Sequence, residues 1–324
     1  MDTEILLRVL ASIIAASAPL VFASIGETIT EKAGVINLSL DGSIMLAAMA
    51  AFAIAFITGN VWLGVLAALI VGALVALIIA IASIELRLDQ VAVGFVLALL
   101  CIDLSSFLGN PFVRQPGPSV SYAPLPFLKD IPILGALFFD HDWLIYASFV
   151  LIFAAWFWFY KTQPGLLLQG IGEQPAAAFA RGANVKRLRY FYTLIGGALV
   201  GLAGAAYSLD VKQGWSYQHT AGNGWIALAI VIFGSWHPLR AAFGAYLFGA
   251  LQTASSLLQG VLPDVPTQAL TVAPFALMIV FLLITSSDAL ERFLALLPRT
   301  IQRALRNALR GAPPAALGTV FEEK

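Results

Sequence analysis

Charge is scarce in this chain of 324 residues: Asp, Glu, Lys and Arg together make up 11%, while hydrophobic residues make up 60%. That balance excludes an ordinary soluble globular domain, whose charged share is roughly 25%. The 18 basic and 18 acidic side chains cancel, so no global field recruits nucleic acid, and basic residues matter by where they stand. Cysteine is almost missing. Cys101 stands alone, which rules out an internal disulfide and a paired-thiolate metal site. His141, His219 and His237 fall outside any metal-ligand spacing, and neither H-E-x-x-H nor a G-x-S-x-G elbow occurs. No G-x-x-x-x-G-K-S/T loop is present, so the chain has no phosphate cradle with which to hydrolyse ATP itself. These absences leave no catalytic residue to nominate, no metal, and no cofactor bound by this chain.

What is present is apolar sequence in long runs. Crossing a hydrocarbon core about 30 Å thick takes roughly 20 mostly apolar residues as a helix. Nine stretches qualify, nominally 8–25, 35–57, 62–83, 90–108, 143–160, 190–209, 224–236, 239–258 and 268–285. The run 36–83 has Asp41 as its sole charge, whereas a barrel needs short alternating strands of about ten residues. The expected fold is all-α, a polytopic integral membrane helical bundle of about eight to ten transmembrane helices. The segment from Gly224 is short enough for a half-helix. The apolar run 9–23 invites a signal-peptide reading, but Asp2 and Glu4 precede it with only Arg8 basic, so it reads as the first span.

The chain divides into a transmembrane domain, 1–290, and a basic amphipathic tail, 291–324. Within the first, 161–190 is a polar interruption carrying Lys161, Arg181, Lys186, Arg187 and Arg189 against the single acid Glu173. Basic residues near span ends favour the cytoplasmic side, which places this loop and the tail inside. The linker 110–142 then falls outside, and its Asp130, Asp140 and Asp142 against Arg114 and Lys129 agree with that parity. Its many prolines deny it long regular helix. In the tail, Leu294, Leu297, Ile301 and Leu305 recur at helical spacing while Arg299, Arg303, Arg306 and Arg310 line another face, the pattern of an interfacial helix on anionic lipid. Beyond Gly311 a loose end is expected.

Asp41 is the telling intramembrane residue, because a carboxylate near the bilayer centre costs roughly 2.5–3.5 kcal/mol on insertion scales. It lies in GVINLSLDG, 34–42, where Asn37, Ser39 and Asp41 do not share one helical face and glycines bracket the run. One reading is a bent or broken helix whose freed backbone lines a polar cavity. The other keeps Asp41 shallow, near the cytoplasmic end, capping or pairing with Lys32. Glu27 and Glu31 read as cytoplasmic surface charges. A second polar punctuation brackets the short apolar segment and sets Asn223 and Trp225 beside a candidate pathway; Trp225 reads equally as an interfacial anchor, and for Trp215 and Trp236 the anchor reading is favoured. Gly197 with Gly201, and Ala241, Ala245, Gly249 and Thr253, read as close helix packing, with a subunit interface as the alternative.

In GEQPAAAFARGANV, 172–185, Pro175 suits the first turn of a helix, the run to Ala180 favours helix, and Gly182 fits a C-terminal stop. On physics alone this short Ala-faced helix is either a plain connector or a small-residue surface gripped by a soluble partner. The chain resembles the membrane permease subunits of ABC importers in the branched-chain amino acid and simple sugar class, and among these the nucleoside-type permeases, from Gly26 to about Ser286. In that family the loop reads close to GENPxAAxxxGINV, matched by Gly172, Glu173, Pro175, Ala177, Ala178, Gly182, Asn184 and Val185. EKAGVINLSLDG, 31–42, is similar to the family's ERAGVINLGLEG. DIPILG, 130–135, and GWIALAIVIFG, 224–234, followed by Trp236 and Pro238, complete the blocks in order. Gln174, Ala183, Gln169 with Gly170, Ser39, Asp41 and Arg240 depart from the pattern.

The resemblance implies a pore-forming subunit in the bacterial inner membrane, multi-pass, with its C-terminus cytoplasmic. It would pair with a second permease, a heterodimer in preference to a homodimer, and receive solute from an external or periplasmic binding protein. Cytoplasmic ATP-binding subunits, which hold ATP and Mg, would dock on Gly172, Glu173, Pro175, Ala177, Ala178, Arg181 and Gly182. Asn37, Ser39, Asp41, Asn223 and Trp225 would line the substrate pathway. The implied cargo is a nucleoside or related small polar solute, with simple sugars or branched-chain amino acids as the alternative. From other classes, a proton-coupled secondary transporter would use Asp41 as its carrier, and a scaffold or channel would need neither ATP nor protons.

Overall fold

The computed structural model describes residues 3–220, 222–261, 265–286 and 312–321. Its helices in chain order are α1 (Thr3–Lys32), α2 (Leu40–Thr58), α3 (Val61–Ala80), α4 (Gln90–Gly109), α5 (Trp143–Lys161), α6 (Gln163–Glu173), α7 (Pro175–Ala180), α8 (Val185–Ala206), α9 (Asn223–Phe233), α10 (Pro238–Val261) and α11 (Thr267–Ser286). Each of the nine apolar stretches carries one of them. Among the described residues, seven are long and apolar enough to cross a membrane. The segment from Gly224 is the short one, α9, at 11 residues. Among the described residues the chain is therefore an all-α polytopic bundle.

Turn chemistry starts the spans. Asn60 Oδ1 accepts from the amides of Trp62 and Leu63, Asp89 Oδ1 from Ala92 at 2.7 Å, and Asp142 Oδ1 from Leu144 and Ile145. These caps satisfy orphan N–H groups at the mouths of α3, α4 and α5, which lipid could not do. Packing then depends on shape, because apolar burial alone does not draw helices together in hydrocarbon. α8 lies against both α1 and α3. Its glycines allow that approach, since a side chain on Gly201 would run into the backbone of Ala68 and one on Gly197 into Ala76. Gly249 of α10 likewise faces Ser17 and Ile13 of α1. These small residues are occupied within the chain, which decides between the two readings of Gly197, Gly201 and Gly249 in favour of bundle packing. α3 turns Leu66, Ile70, Leu74 and Ile78 outward, each about half exposed, as an apolar stripe suited to acyl chains.

Several expectations are corrected. α1 continues past residue 25 to Lys32, so Glu27 and Glu31 are buried side chains rather than surface charges. α2 begins at Leu40, leaving 33–39 as irregular chain rather than the start of a span. α8 begins at Val185, inside the 161–190 interruption, and its Arg189 is buried instead of joining the loop's exposed basic residues. Trp215 and Trp236, read as interfacial anchors, are 2% and 6% exposed and belong to the interior. The linker is irregular as its prolines require, with a 3-10 turn at Asn110–Phe112, a π turn at Gly135–Phe139 and a single bridge between Tyr122 and Asp142. The amphipathic stretch 291–310 lies outside the described residues. Residues 312–321, expected to be loose, are seated on the bundle, where Pro314 and Ala316 are buried.

Candidate functional site

The residues nominated for a pathway gather where α2 and α9 begin. After Lys32 the chain does not leave the bundle: the Asn37 amide donates to Glu27 Oε1 at 3.1 Å, so 33–39 runs back along α1 by about 7 Å, five residues of helical rise. There Asn37 Oδ1 accepts from the Ser39 amide at 3.0 Å and from Ser39 Oγ at 2.6 Å, and Ser39 Oγ lies 2.9 Å from Ser43 Oγ. The Ile36 amide donates to Gln90 Oε1 at 2.7 Å, tying the segment to α4. Asp41 stands in the first turn of α2, where a carboxylate is favoured by the helix dipole. Its Oδ1 accepts from the Gly224 amide at 3.0 Å, at the start of α9. That partner is Gly224 and not the Lys32 of the shallow reading, and only a residue without a side chain lets α9 approach the Asp41 backbone so closely.

Asn223, beside it, accepts from Gln252 Nε2 of α10 at 3.3 Å. Trp225 lies against Phe95 of α4 with ring centroids 6.1 Å apart. Asn37, Ser39, Asp41 and Asn223 are all buried and bonded, while Trp225 is 38% exposed. The five nominated residues thus lie along one seam, and in this conformation the four polar ones are bonded within the protein: Asn37 with Ser39, Asp41 with the Gly224 amide and Asn223 with Gln252. Glu27, Gln90 and Gln252 each bond a residue of the seam, through the Asn37 amide, the Ile36 amide and Asn223, and escaped sequence reading. Two acids four residues apart at the end of an apolar run, Glu27 and Glu31, were the available signal.

The second site is at the end of the bundle where α1 finishes. Thr162 Oγ1 caps α6 through the Gly165 amide at 3.2 Å, and Asn184 Oδ1 caps α8 through the Arg187 amide at 2.9 Å. Between them the chain breaks at Gln174 and forms the six-residue α7. Gly182 ends it as expected: its φ of 89° is left-handed, its amide donates to Phe179 O at 2.8 Å, and the Ala183 amide closes on Ala178 O at 3.1 Å. A cavity of about 690 Å³ opens beside α6 and α7, and Glu173, Ala177, Ala178, Arg181 and Gly182 line it with the exposed Leu166 and Leu167. Gly172 is buried behind it and Pro175 only half-buried. The cavity's mostly apolar lining carries one acid, Glu173, and one base, Arg181, a make-up that can receive a protein side-chain knob. Leu166 and Leu167, with Gln163, Gly170, Gln174 and Ala183, are lining residues that the sequence reading did not nominate.

The turn between α9 and α10 reaches the same end. Trp236 Nε1 donates to Glu31 Oε2, and His237 stacks on Tyr160 at the end of α5, with ring centroids 5.0 Å apart. Burial, with Arg240 and Lys32 nearby, holds the His237 imidazole below its usual range. The seam and the cavity are therefore joined through α1, α9 and the turns at their ends.

The family described as branched-chain amino acid transport system / permease component matches residues 9–283. A putative glucose ABC transporter permease protein of Haloferax volcanii, TsgC13, is 36% identical over 259 residues, which is 78% of this chain and 79% of the relative. The nucleoside ABC transporter permease protein NupC of Lactococcus lactis is 33% identical over 288 residues, 85% of this chain and 90% of the relative. The guanosine ABC transporter permease protein NupQ of Bacillus subtilis is 33% identical over 281 residues, 82% and 88% of the two chains. Likeness over almost the whole helical bundle, including both sites, leads to one conclusion: the chain belongs to the branched-chain amino acid transport system permease family and is a multi-pass membrane component of an ABC importer.

Proposed function

We propose that this chain moves a nucleoside or a closely related solute inward across the bacterial inner membrane, using ATP hydrolysed by a separate subunit. The observation that carries the proposal is the formed cavity at α6 and α7, whose lining includes five of the residues nominated for docking. A cytoplasmic ATP-binding subunit, holding ATP and Mg, docks there, which sets that end of the bundle and the C-terminus inside the cell. A second permease subunit completes the pore, and an external binding protein delivers the solute. Nucleotide binding and release shift α7, and the α2–α9 seam containing Asn37, Ser39, Asp41, Asn223 and Trp225 opens in response. A sugar cargo is the second reading, favoured by the 36% identical relative named as a putative glucose permease.

The test is uptake of guanosine and of glucose into vesicles containing the assembled transporter. ATP-dependent guanosine uptake that survives collapse of the proton gradient is expected. ATP-dependent uptake of glucose alone would transfer the assignment to sugars, and gradient-driven uptake by this chain without any ATPase would sink the importer reading. An Ala177→Arg substitution, placed in the exposed floor of the cavity, is expected to abolish association of the ATP-binding subunit without reducing membrane insertion.

A further inference from the structure

Residues 312–321 bind four separate parts of the coupling end at once. The Ala316 amide donates to Gly172 O at 2.8 Å and the Ala315 amide to Glu173 Oε2 at 3.3 Å, both at the end of α6. The Gly318 amide donates to Gly34 O at 3.0 Å, in the turn that leaves α1. Arg189 Nη1 of α8 donates to Thr319 O at 2.8 Å, and the Phe321 ring meets Phe179 of α7 with centroids 5.8 Å apart. Internal bonds keep the segment in shape, with the Leu317 amide on Pro314 O at 3.0 Å and Thr319 Oγ1 on Ala316 O at 2.8 Å. Gly318 has a left-handed φ of 72°, and a Cβ there would stand 2.9 Å from Ile36 Cδ1, so the residue is specific to this seat.

Gly34 is a short step from the polar seam. Three residues beyond it stands Asn37, then Ser39 and Asp41, whose carboxylate holds the start of α9. One ten-residue segment thus bonds the helices that form the docking cavity to the chain that enters the seam. We infer that residues 312–321 form a transmission strap: they fix α6 and α7 to the Gly34 turn, so that displacement of α7 by the docked ATP-binding subunit is passed to the α2–α9 seam. The strap acts by positioning and touches no solute. This inference rests on the reading that the cavity beside α7 receives the ATP-binding subunit.

The experiment uses the assembled transporter with Cys101→Ser and Trp225→Cys in this chain and the cysteines of its partner subunits replaced, so that one thiol reports on α9. Its maleimide labelling rate is measured with and without ATP plus vanadate, together with retention of the ATP-binding subunit on the purified complex. With the strap intact the two rates are expected to differ at least about threefold; with Gly318→Val, or with residues 312–324 deleted, the ratio falls to about one while retention is unchanged. Val320→Ser, at an exposed strap position, is expected to keep the intact ratio. Loss of retention in both strap variants would make the segment part of the docking surface and overturn transmission. An unchanged ratio with retention intact, or no nucleotide effect in the parent complex, would overturn it as well. Ala177→Arg separates the two ideas: if that variant keeps the ATP-binding subunit, the docking reading fails whatever the strap variants do.

Discussion

Replacing Asp41 tests whether its charge carries solute or proton, or whether the residue is a pin between α2 and α9. The carboxylate is 5% exposed and accepts the Gly224 amide at 3.0 Å. Asp41→Ala strands that buried N–H, a cost of about 1–3 kcal/mol, and removes an anion from the first turn of α2, a further ~0.3–1 kcal/mol. The expected loss of unfolding free energy is therefore about 1.3–4 kcal/mol. Asp41→Asn keeps the accepting oxygen in place and forfeits only the charge, so its cost should stay below about 1 kcal/mol. Reversible unfolding in mixed micelles, followed by tryptophan fluorescence against rising denaturing detergent, reads both values. Transport by the assembled complex reads the consequence: Asp41→Asn should retain most uptake, and Asp41→Ala should lose uptake together with stability. The reasoning is refuted if Asp41→Asn is as stable as the parent yet cannot transport. That outcome would make the charge itself the working group and restore the proton carrier.

Three further substitutions probe other parts of the molecule. Gly201→Ile drives a branched side chain into the α3 backbone at Ala68, an overpacking cost of about 1–3 kcal/mol or more, and should lower the melting temperature in detergent, whereas Val150→Ile on an exposed face of α5 should not. His219 is 3% exposed, and burial first, with Lys212 adding to it, holds its imidazole down to about 4. The fold thus favours the neutral ring, so this contribution is fully present above pH ~6.5 and is lost as pH falls toward 4, about 3 kcal/mol in total. His219→Gln should flatten the stability profile across that window, as melting curves at pH 7 and pH 4.5 will show. Gly182→Val forces a left-handed β-branched residue, about 1–2 kcal/mol of local strain, and should weaken binding of the ATP-binding subunit in a pull-down while insertion stays normal.

The spans were legible because length in apolar residues is a one-dimensional property, and lipid forbids irregular backbone at its surface. Which face of each span points inward was not. In α3 the outward residues Leu66, Ile70, Leu74 and Ile78 are as apolar as the buried Val65, Ala68, Val75 and Ala76, so the polar–apolar alternation that orients a soluble helix is missing. The α7 helix was legible for the opposite reason. Pro175 at its start and Gly182 after its end are backbone constraints that act within a few residues, and the geometry at both positions obeys them.

The buried acids mark where local reasoning stops. Glu27 and Glu31 close an apolar run and precede Lys32, the ordinary signature of a helix emerging into water, yet both are enclosed. What holds Glu31 there is the indole N–H of Trp236, 205 residues away, and what holds Glu27 is the amide of Asn37, presented only because the chain doubles back after Gly34. A buried carboxylate is tolerated when donors are aimed at it, and a linear pattern does not reveal donors brought by the fold. The same limit hid the strap, since Ala315, Ala316 and Gly318 bond through their backbone amides. Side-chain chemistry cannot announce such bonds. The residues most open to sequence reading are therefore those whose partners are near in the chain, and the connections proposed to carry motion from α7 to Asp41 are made by the others.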